Sequence, residues 1–477
     1  MTSSDLTRRV KQLIEVPSIA IELSRRFEKE DHQLYLVGGT VRDALLGRVG
    51  SDLDFATDAK PDEVLEIVRG WHEGRWLVGI EFGTVGVMKR GFRLEITTFR
   101  GERYEPDSRH PQVMPVGSIE ADLSRRDFTI NAMALKLPSR AFVDPHGGLA
   151  DLAAKRLRTP LTPEESFSDD PLRMLRAARF VAQLGVHPER PLVDAMRAQR
   201  PRLGIVSGER IRDELVKILG APGASQGLHL AVETGLAEKF LPELPALRLE
   251  QDPVHRHKDV YRHTLGVLDK IIATDPGPEP DIELRMAGLL HDIGKPATRR
   301  YEGGTVSFHH HEVVGAQMAE RRLRELRFPR EFIDPVVQLV ELHLRFHTFR
   351  LGWSDSAVRR YVRDAGPLLD RLNRLVRADC TTRNQFRARQ LAAAMDEMEE
   401  RIARLAAEED LKRIRPPLDG HEVMSRLGVP PGPIVGKALD HLLQLRLDRG
   451  PIPREEALRL LDAWAAENGL RRTSKDD

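Results

Sequence analysis

The chain has 477 residues, 40% hydrophobic and 31% charged, with 74 Lys plus Arg against 73 Asp plus Glu. That length exceeds one ordinary core and predicts two to four domains, while the composition is globular and excludes a disordered chain. A net charge of +1 means that any nucleic-acid contact must come from local basic clusters, and the single Cys380 excludes an intramolecular disulfide or a cysteine-based zinc site, as suits a reducing cytoplasm.

From Met1 to Asp31 the pattern is amphipathic and helical, with Arg8, Arg9, Arg25 and Arg26 among apolar positions. It has no continuous apolar segment or cleavage site, so neither a signal peptide nor a membrane span is expected. Strand patterns fill the stretch from Gln33 to about Pro145: Leu34–Val37, Leu53–Ala56, Gly83–Met88 and Arg93–Thr97, between glycine-rich turns. From about Asp151 the periodicity becomes helical, as at Leu172, Leu175, Ala178 and Val181, and stays so. The expectation is an α+β multidomain chain: an α/β head with a mixed sheet and helices, then an all-α body. The Pro- and Gly-rich stretches Asp275–Pro280 and Pro416–Gly420 read as connectors, the first within a helical domain and the second between domains.

In the head, the strand ending at Val37 enters Gly38-Gly39 and then a helical pattern from Thr40 to Leu46. Two glycines allow close backbone approach, and free N–H groups at a helix start favour an anion such as a triphosphate, although such a turn alone is more often only tight. Arg42 adds positive charge there. Asp52 and Asp54, two apart on a strand, share one face and repel each other unless a cation lies between them; hard oxygen ligands suit Mg²⁺. Glu95 is the candidate third carboxylate, supporting a metal or receiving a proton from an attacking hydroxyl; a solvated strand residue is the alternative.

The run Leu36-Val37-Gly38-Gly39-Thr40-Val41-Arg42-Asp43, followed by Asp52-Leu53-Asp54, resembles the first motif of the class II CCA-adding enzymes and bacterial poly(A) polymerases. Further stretches resemble that family in order. Phe99 to Gly117, with Tyr104, Asp107, Arg109 and Pro111, resembles its flexible loop, and Arg125-Arg126-Asp127-Phe128-Thr129-Ile130-Asn131-Ala132 its second motif. Asp144 to Arg158 resembles the third, Asp169-Asp170-Pro171-Leu172-Arg173 the nucleotide-recognition helix, and Gly208-Glu209-Arg210-Ile211 the last. The family usually has Glu where this chain has Asp169.

The resemblance implies a nucleotidyltransferase head that adds C, C and A to tRNA 3′ ends from CTP and ATP without a template. A 3′ hydroxyl attacks the α-phosphate, pyrophosphate leaves, and Asp52 and Asp54 hold Mg²⁺. Gly39, Arg42, Arg126, Asp127, Asp170, Arg173, Arg176 and Arg179 are the candidate nucleotide-binding residues. Three apart on a helix, Asp170 and Arg173 offer one acceptor and one donor on one face. Cytosine and adenine present an amino donor beside a ring-nitrogen acceptor, which this pair matches; uracil and guanine present the opposite order. The plain alternative is a surface ion pair of little value.

In the body, His263, then His291-Asp292, then Asp379 resemble in their order the HD phosphohydrolase superfamily. The resemblance implies a divalent metal, one of Mg²⁺, Mn²⁺, Ni²⁺ or Fe²⁺, on those four residues, and an additional phosphohydrolase activity. His311 and His343 match extra ligands of two-metal members, whereas His309 and His310 read as ordinary structural histidines. The tail Gly420–Gly432 and a helix from Val435 to Leu447 resemble a tRNA-body-binding end, where Arg446, Arg449 and Arg454 either touch phosphates or form a solvated face. The expected segments are a head at 1–150, a helical recognition neck at 151–240, an HD-type domain at 241–410 and an RNA-binding module at 411–477. Competing functions are a poly(A) polymerase, CC-only or A-only addition, or an HD phosphohydrolase whose head serves as an RNA-binding module. The loop Arg100–Gly117 favours CCA addition. The expected partners are the tRNA 3′ end, CTP and ATP, in the cytoplasm and without a membrane.

Overall fold

A computed structural model describes residues 14–48, 50–103, 112–115, 117–249, 259–302, 305–346, 353–380, 385–409 and 414–470. The chain divides into two compact units, Met1–Pro245 and Ala246–Asp477.

The first unit opens with α1 (Ser18–Lys29), whose Ile19, Leu23 and Phe27 are buried at helical spacing. The sheet elements then follow: β1 (Leu34–Val37), α2 (Gly39–Leu45), β2 (Asp52–Thr57), α3 (Pro61–Ile67), β3 (Gly74–Trp76), β4 (Thr84–Lys89) and β5 (Phe92–Thr98). A separate hairpin, β6 (Arg100–Arg103) with β7 (Gln112–Pro115), frames the loop whose Tyr104, Asp107, Arg109 and Pro111 lie outside the described residues. After α4 (Ile119–Ser124), the strands β8 (Ala134–Leu137) and β9 (Ala141–Val143) complete a seven-stranded sheet in the order β3-β4-β5-β2-β1-β8-β9. It is mixed: β2 and β5 run parallel and their neighbours antiparallel. The apolar run of β1 is buried throughout, as a central strand covered on both faces requires. In β2, Leu53 and Phe55 face the core while Asp52 and Asp54 stay open, and the parallel register sets Asp54 beside Glu95.

Helices α5 (Gly148–Ala153), α6 (Pro163–Asp169), α7 (Leu172–Leu184), α8 (Arg190–Gln199), α9 (Gly208–Leu219) and α10 (Ala224–Glu233) follow. A capping box between Thr162 and Glu165 starts α6. Ten of the thirteen residues of α7 are buried, so α7 is the central helix of this part.

The second unit contains α11 (Val260–Ala273), α12 (Ile282–Leu290), α13 (His311–Glu325), α14 (Arg330–Leu342), α15 (Asp355–Ala365), α16 (Leu369–Asp379) and α17 (Gln385–Glu408). Its last helices, α18 (Gly420–Leu427), α19 (Pro433–Arg449) and α20 (Arg454–Glu467), enclose their own core around Val423, Leu442 and Leu461. The body departs from an all-α reading in two short strand pairs, Arg156–Leu157 with His187–Pro188 and Arg300–Glu302 with Thr305–Ser307. Too short to show a period of two, they were hidden in the helical pattern around them. Among the described residues no helix is long and apolar enough to cross a membrane.

Candidate active site and metal centre

A cleft of about 1000 Å³ in the first unit brings together Gly38, Gly39, Arg42, Asp54, Glu95, Arg126, Asp127, Asp170, Arg173, Arg176 and Arg179. Ten of these eleven were expected from sequence. Asp52 opens instead on an adjoining pocket with Thr40 and Asp43, which Asp54 also lines.

The turn after β1 depends on Gly38, at φ 67° and ψ −133°, and a Cβ there would lie 2.7 Å from Arg126 Nη1. Thr40 Oγ1 accepts the Asp54 N–H at 3.0 Å, tying the turn to β2. Although Asp54 opens on the cleft, the surrounding walls displace water and raise its pKa above the ordinary carboxylate value; Glu95 and Asp52 add to this, and Arg126 and Arg42 oppose it. Crowded carboxylates of this kind fit a hard divalent cation.

Beneath the cleft the arginines are held by acids. Arg42 grips Asp43 at 2.9 Å and donates to Asn131 Oδ1 at 2.6 Å; Asn131 in turn donates to Asp127 Oδ1 at 2.9 Å. Asp127 Oδ2 accepts from Arg176 Nε at 2.8 Å. Burial works to raise the pKa of Asp127, but Arg176 and the Asn131 amide outweigh it and hold the carboxyl well below the usual range. Buried Asp122 bridges Arg125 at 2.8 Å and Arg126 at 3.0 Å. Arg42, Arg176 and Arg179 all lie within 6 Å of the Phe180 ring centroid. Arg179 also pairs with buried Glu214 at 3.0 Å, and burial followed by the Arg176 charge pulls its pKa down to about 10.

Asp170 and Arg173 do not sit side by side on one helix. Asp170 occupies the extended joint between α6 and α7, at φ −137° and ψ 103°, because the following Pro171 disfavours a helical residue before it. Its carboxylate accepts from Leu172 N–H at 3.1 Å and Arg210 Nη2 at 2.9 Å. Arg173, in the first turn of α7, donates to Ser166 Oγ at 3.0 Å and to the Arg125 carbonyl at 2.7 Å. Both still line the cleft. Reading sequence residue by residue missed Asp122, Asn131, Phe180 and Glu214 as supports. The i,i+3 and i,i+4 spacing of Asp122 to Arg125 and Arg126 was a usable signal.

The second unit gathers a closed centre. His263 Nε2 lies 2.8 Å from Asp379 Oδ1 and 3.6 Å from Asp292 Oδ2, and His291 Nε2 is 3.3 Å from Asp292 Oδ2. On the other Asp292 oxygen, Oδ1, His311 Nε2 approaches to 3.3 Å and His343 Nε2 to 4.0 Å. All four residues expected as ligands converge, and so do His311 and His343. His309 and His310 are exposed and stand outside the cluster. Gly294 makes the close approach possible: a Cβ there would lie 2.2 Å from the His311 carbonyl.

Three imidazoles are oriented alike, with Nδ1 on a backbone carbonyl: His291 on Gly288 at 2.8 Å, His311 on Phe308 at 2.8 Å and His343 on Val340 at 2.6 Å. A carbonyl only accepts, so each Nδ1 carries a proton and each Nε2 points inward. The buried Nε2 atoms of His311 and His343 have no hydrogen-bond partner. Burial and the His291 charge push His343 down to about 3, so it is neutral and its lone pair is ready for a metal. Burial alone would lower the pKa of His291, but Asp292 and Asp379 overcome it and push it up to about 10. The carboxylates therefore hold positive charge at this spot, which fits a divalent cation. Among the described residues, close-set triads of metal-ligand atoms are His263, His291, Asp292 and Asp292, His311, His343.

In the tail, Arg446 pairs with buried Glu409, Arg454 with Glu422 at 2.7 Å and Arg449 with Glu456 at 3.9 Å.

Residues 34–158 match the family described as poly A polymerase head domain, residues 185–247 that described as probable RNA and SrmB- binding site of polymerase A, and residues 260–406 the HD domain. The chain is 35% identical over 444 residues to an A-adding tRNA nucleotidyltransferase of Deinococcus radiodurans, covering 91% of this chain and 95% of the relative. It is 34% identical over 440 residues to a CC-adding tRNA nucleotidyltransferase of Thermus thermophilus, covering 90% and 93%. A CCA-adding enzyme of Geobacillus thermodenitrificans matches at 41% over 226 residues, 47% of this chain and 54% of the relative. The fold matches the crystal structure of the Bacillus stearothermophilus CCA-adding enzyme in complex with CTP, at a TM-score of 0.68 and 26% identity, over 94% of this chain and 98% of the other. With such identity sustained along nearly the whole of both chains, this protein belongs to the tRNA nucleotidyltransferase family and carries its poly(A) polymerase-type head together with an HD domain.

Proposed function

We propose that the protein adds C, C and A to the tRNA 3′ end from CTP and ATP, in the cytoplasm. The observation that carries this reading is the single cleft joining Asp54 and Glu95 to Asp170, Arg173 and an arginine set. Asp52 and Asp54 hold Mg²⁺. When bound, that ion neutralises phosphate charge and lowers the barrier to displacement. Arg42, Arg126, Arg176 and Arg179 receive the triphosphate and ribose, and their carboxylate partners hold them in place before the nucleotide arrives. The Gly38–Gly39 turn lets the phosphates approach the backbone. Asp127 braces Arg176 and Asn131. Glu95, in register with Asp54, receives the proton from the attacking hydroxyl. Asp170 and Arg173 read the base edge, accepting cytosine and adenine and leaving a mispaired group with uracil or guanine.

His263, His291, Asp292 and Asp379 hold a divalent metal in the second unit and give it phosphohydrolase capacity. The segments 1–150, 151–240, 241–410 and 411–477 serve as catalytic head, recognition neck, HD domain and RNA-binding module.

A second reading is partial addition, of A alone or of CC alone. It is favoured by the relatives that match along almost the whole chain, which are named A-adding and CC-adding. The test is incubation with tRNAs ending before CCA, after C and after CC, with Mg²⁺ and each nucleotide singly and together, beside an Asp52→Ala control. Addition of C, C and A, stopping there, supports the first reading. Incorporation of A on the CC-ending acceptor alone, or of C on the first two acceptors with no A after it, selects the second, and long A tails on many RNAs would move the assignment to poly(A) polymerase.

A further inference from the structure

The geometry points to Arg210 as the residue that positions the base-reading carboxylate, an inference resting on the assignment of Asp170 to base readout above. Asp170 lies in an extended joint, outside any helix, so no regular backbone fixes its side chain. Two donors do so instead: Leu172 N–H on Oδ1 and Arg210 Nη2 on Oδ2, at 3.1 and 2.9 Å.

Arg210 comes from a different element, the first turn of α9, forty residues along the chain. The helix that carries it is joined to α7 by the buried Arg179–Glu214 pair. The Arg173 guanidinium is held by Ser166 and the Arg125 carbonyl. The two halves share backbone anchoring through Ser166, whose carbonyl also accepts the Asp170 N–H at 3.2 Å, but their side-chain partners differ, and Arg210 is the side-chain brace on the acceptor half.

An ionised carboxylate only accepts, at about four lone-pair sites. Leu172 and Arg210 occupy one direction on each oxygen. Acceptor capacity is left over on a residue that lines the cleft, as Arg210 does too. The exocyclic amino group at C4 of cytosine or C6 of adenine satisfies it; the carbonyl oxygen at the same position of uracil or guanine does not. Without Arg210 the carboxylate keeps one backbone tether and is free to turn, and the distinction between amino- and oxo-bearing bases weakens.

The experiment measures kcat/KM for all four nucleotides on an acceptor tRNA with the full-length protein. Arg210→Gln is expected to lower the CTP-over-UTP and ATP-over-GTP ratios about tenfold, with Arg210→Lys recovering part of each. Arg210 is 46% exposed, so its loss leaves the core intact. Where turnover is lost, CTP and UTP binding by calorimetry reads the same ratio. An equal fall for all four nucleotides, with ratios unchanged, overturns the inference and leaves Arg210 as a brace for α9. Asp170→Ala separates the two assignments. If it leaves the ratios unchanged, base readout by Asp170 fails; if it relaxes them while Arg210→Gln does not, only the role of Arg210 fails.

Discussion

The two polar centres of this chain use charge in opposite ways. The head cleft is wide and rich in arginine, and its cations are already tied to carboxylates such as Asp43, Asp122, Asp127 and Glu214. The HD centre is buried and histidine-rich, and two of its Nε2 atoms face Asp292 without a hydrogen bond. A site for a polyanion that comes and goes keeps its donors satisfied between visits, because guanidinium groups have donors to spare. A site for a resident cation leaves lone pairs unsatisfied, because the cation completes them.

The sharpest way to break this contrast is to injure one centre and read the other. Asp54→Ala is expected to reduce nucleotide incorporation by at least about 100-fold, in line with losing electrostatic stabilisation at the reacting centre. Metal retained by the HD centre, measured by elemental analysis after dialysis, should not change. The converse is His343→Leu, which removes an inward lone pair at a buried position of the cluster. It should lower the metal content while incorporation on tRNA stays at the parent level. Parallel loss of both readouts in either variant would show that the centres are not independent.

Gly38→Ala sharpens the head side. A side chain at φ 67° and ψ −133° costs about 1–3 kcal/mol in backbone strain, and its Cβ would meet Arg126. Thermal unfolding should show the lower stability, and KM for CTP should rise as Arg126 is displaced. An unchanged KM would mean that Arg126 does not contact the nucleotide.

The next effect is a pH dependence. Asp127 has a folded pKa below its ordinary value of 3.8, so its contribution to stability is present above that value and is lost as the pH falls through it toward the folded pKa. Acid unfolding below about pH 4 should therefore weaken in Asp127→Asn, a variant that at neutral pH loses about 3 kcal/mol for leaving Arg176 without its partner. Urea unfolding at pH 7 and pH 3 compares the two proteins.

How far these centres were legible follows from how each is built. The HD candidates are few, chemically distinctive and ordered along the chain, and His263, His291, Asp292 and Asp379, singled out by that order, converge in space. The carboxylates and arginines of the head were equally visible as types at set spacings. The pairings were not visible, because Arg176–Asp127, Arg42–Asn131 and Asp170–Arg210 span 49, 89 and 40 residues and form only when helices and sheet come together. The helical placement of Asp170 was a different matter. Pro171 stood in the sequence as the reason for an extended residue before it, and the helical spacing was followed instead. Asp52 and Asp54 share one face and one adjoining pocket, yet only Asp54 also reaches the main cleft, since alternation fixes a face and not the walls around it.

The smallest expected effect extends the comparison to the tail, where arginines are also tied to acids. Arg454 is 69% exposed and its partner Glu422 is 30% exposed, so Arg454→Ala should change stability by no more than about 0.5 kcal/mol. If the rule from the head holds, a paired arginine remains available to a phosphate, and this same variant should weaken tRNA binding. The diagnostic is the salt dependence: one lost phosphate contact lowers the slope of log K against log salt by about 0.7 to 0.9. An unchanged slope would mark Arg454 as a solvated ion pair, and would confine the pairing of preorganised arginine with a visiting polyanion to the head cleft.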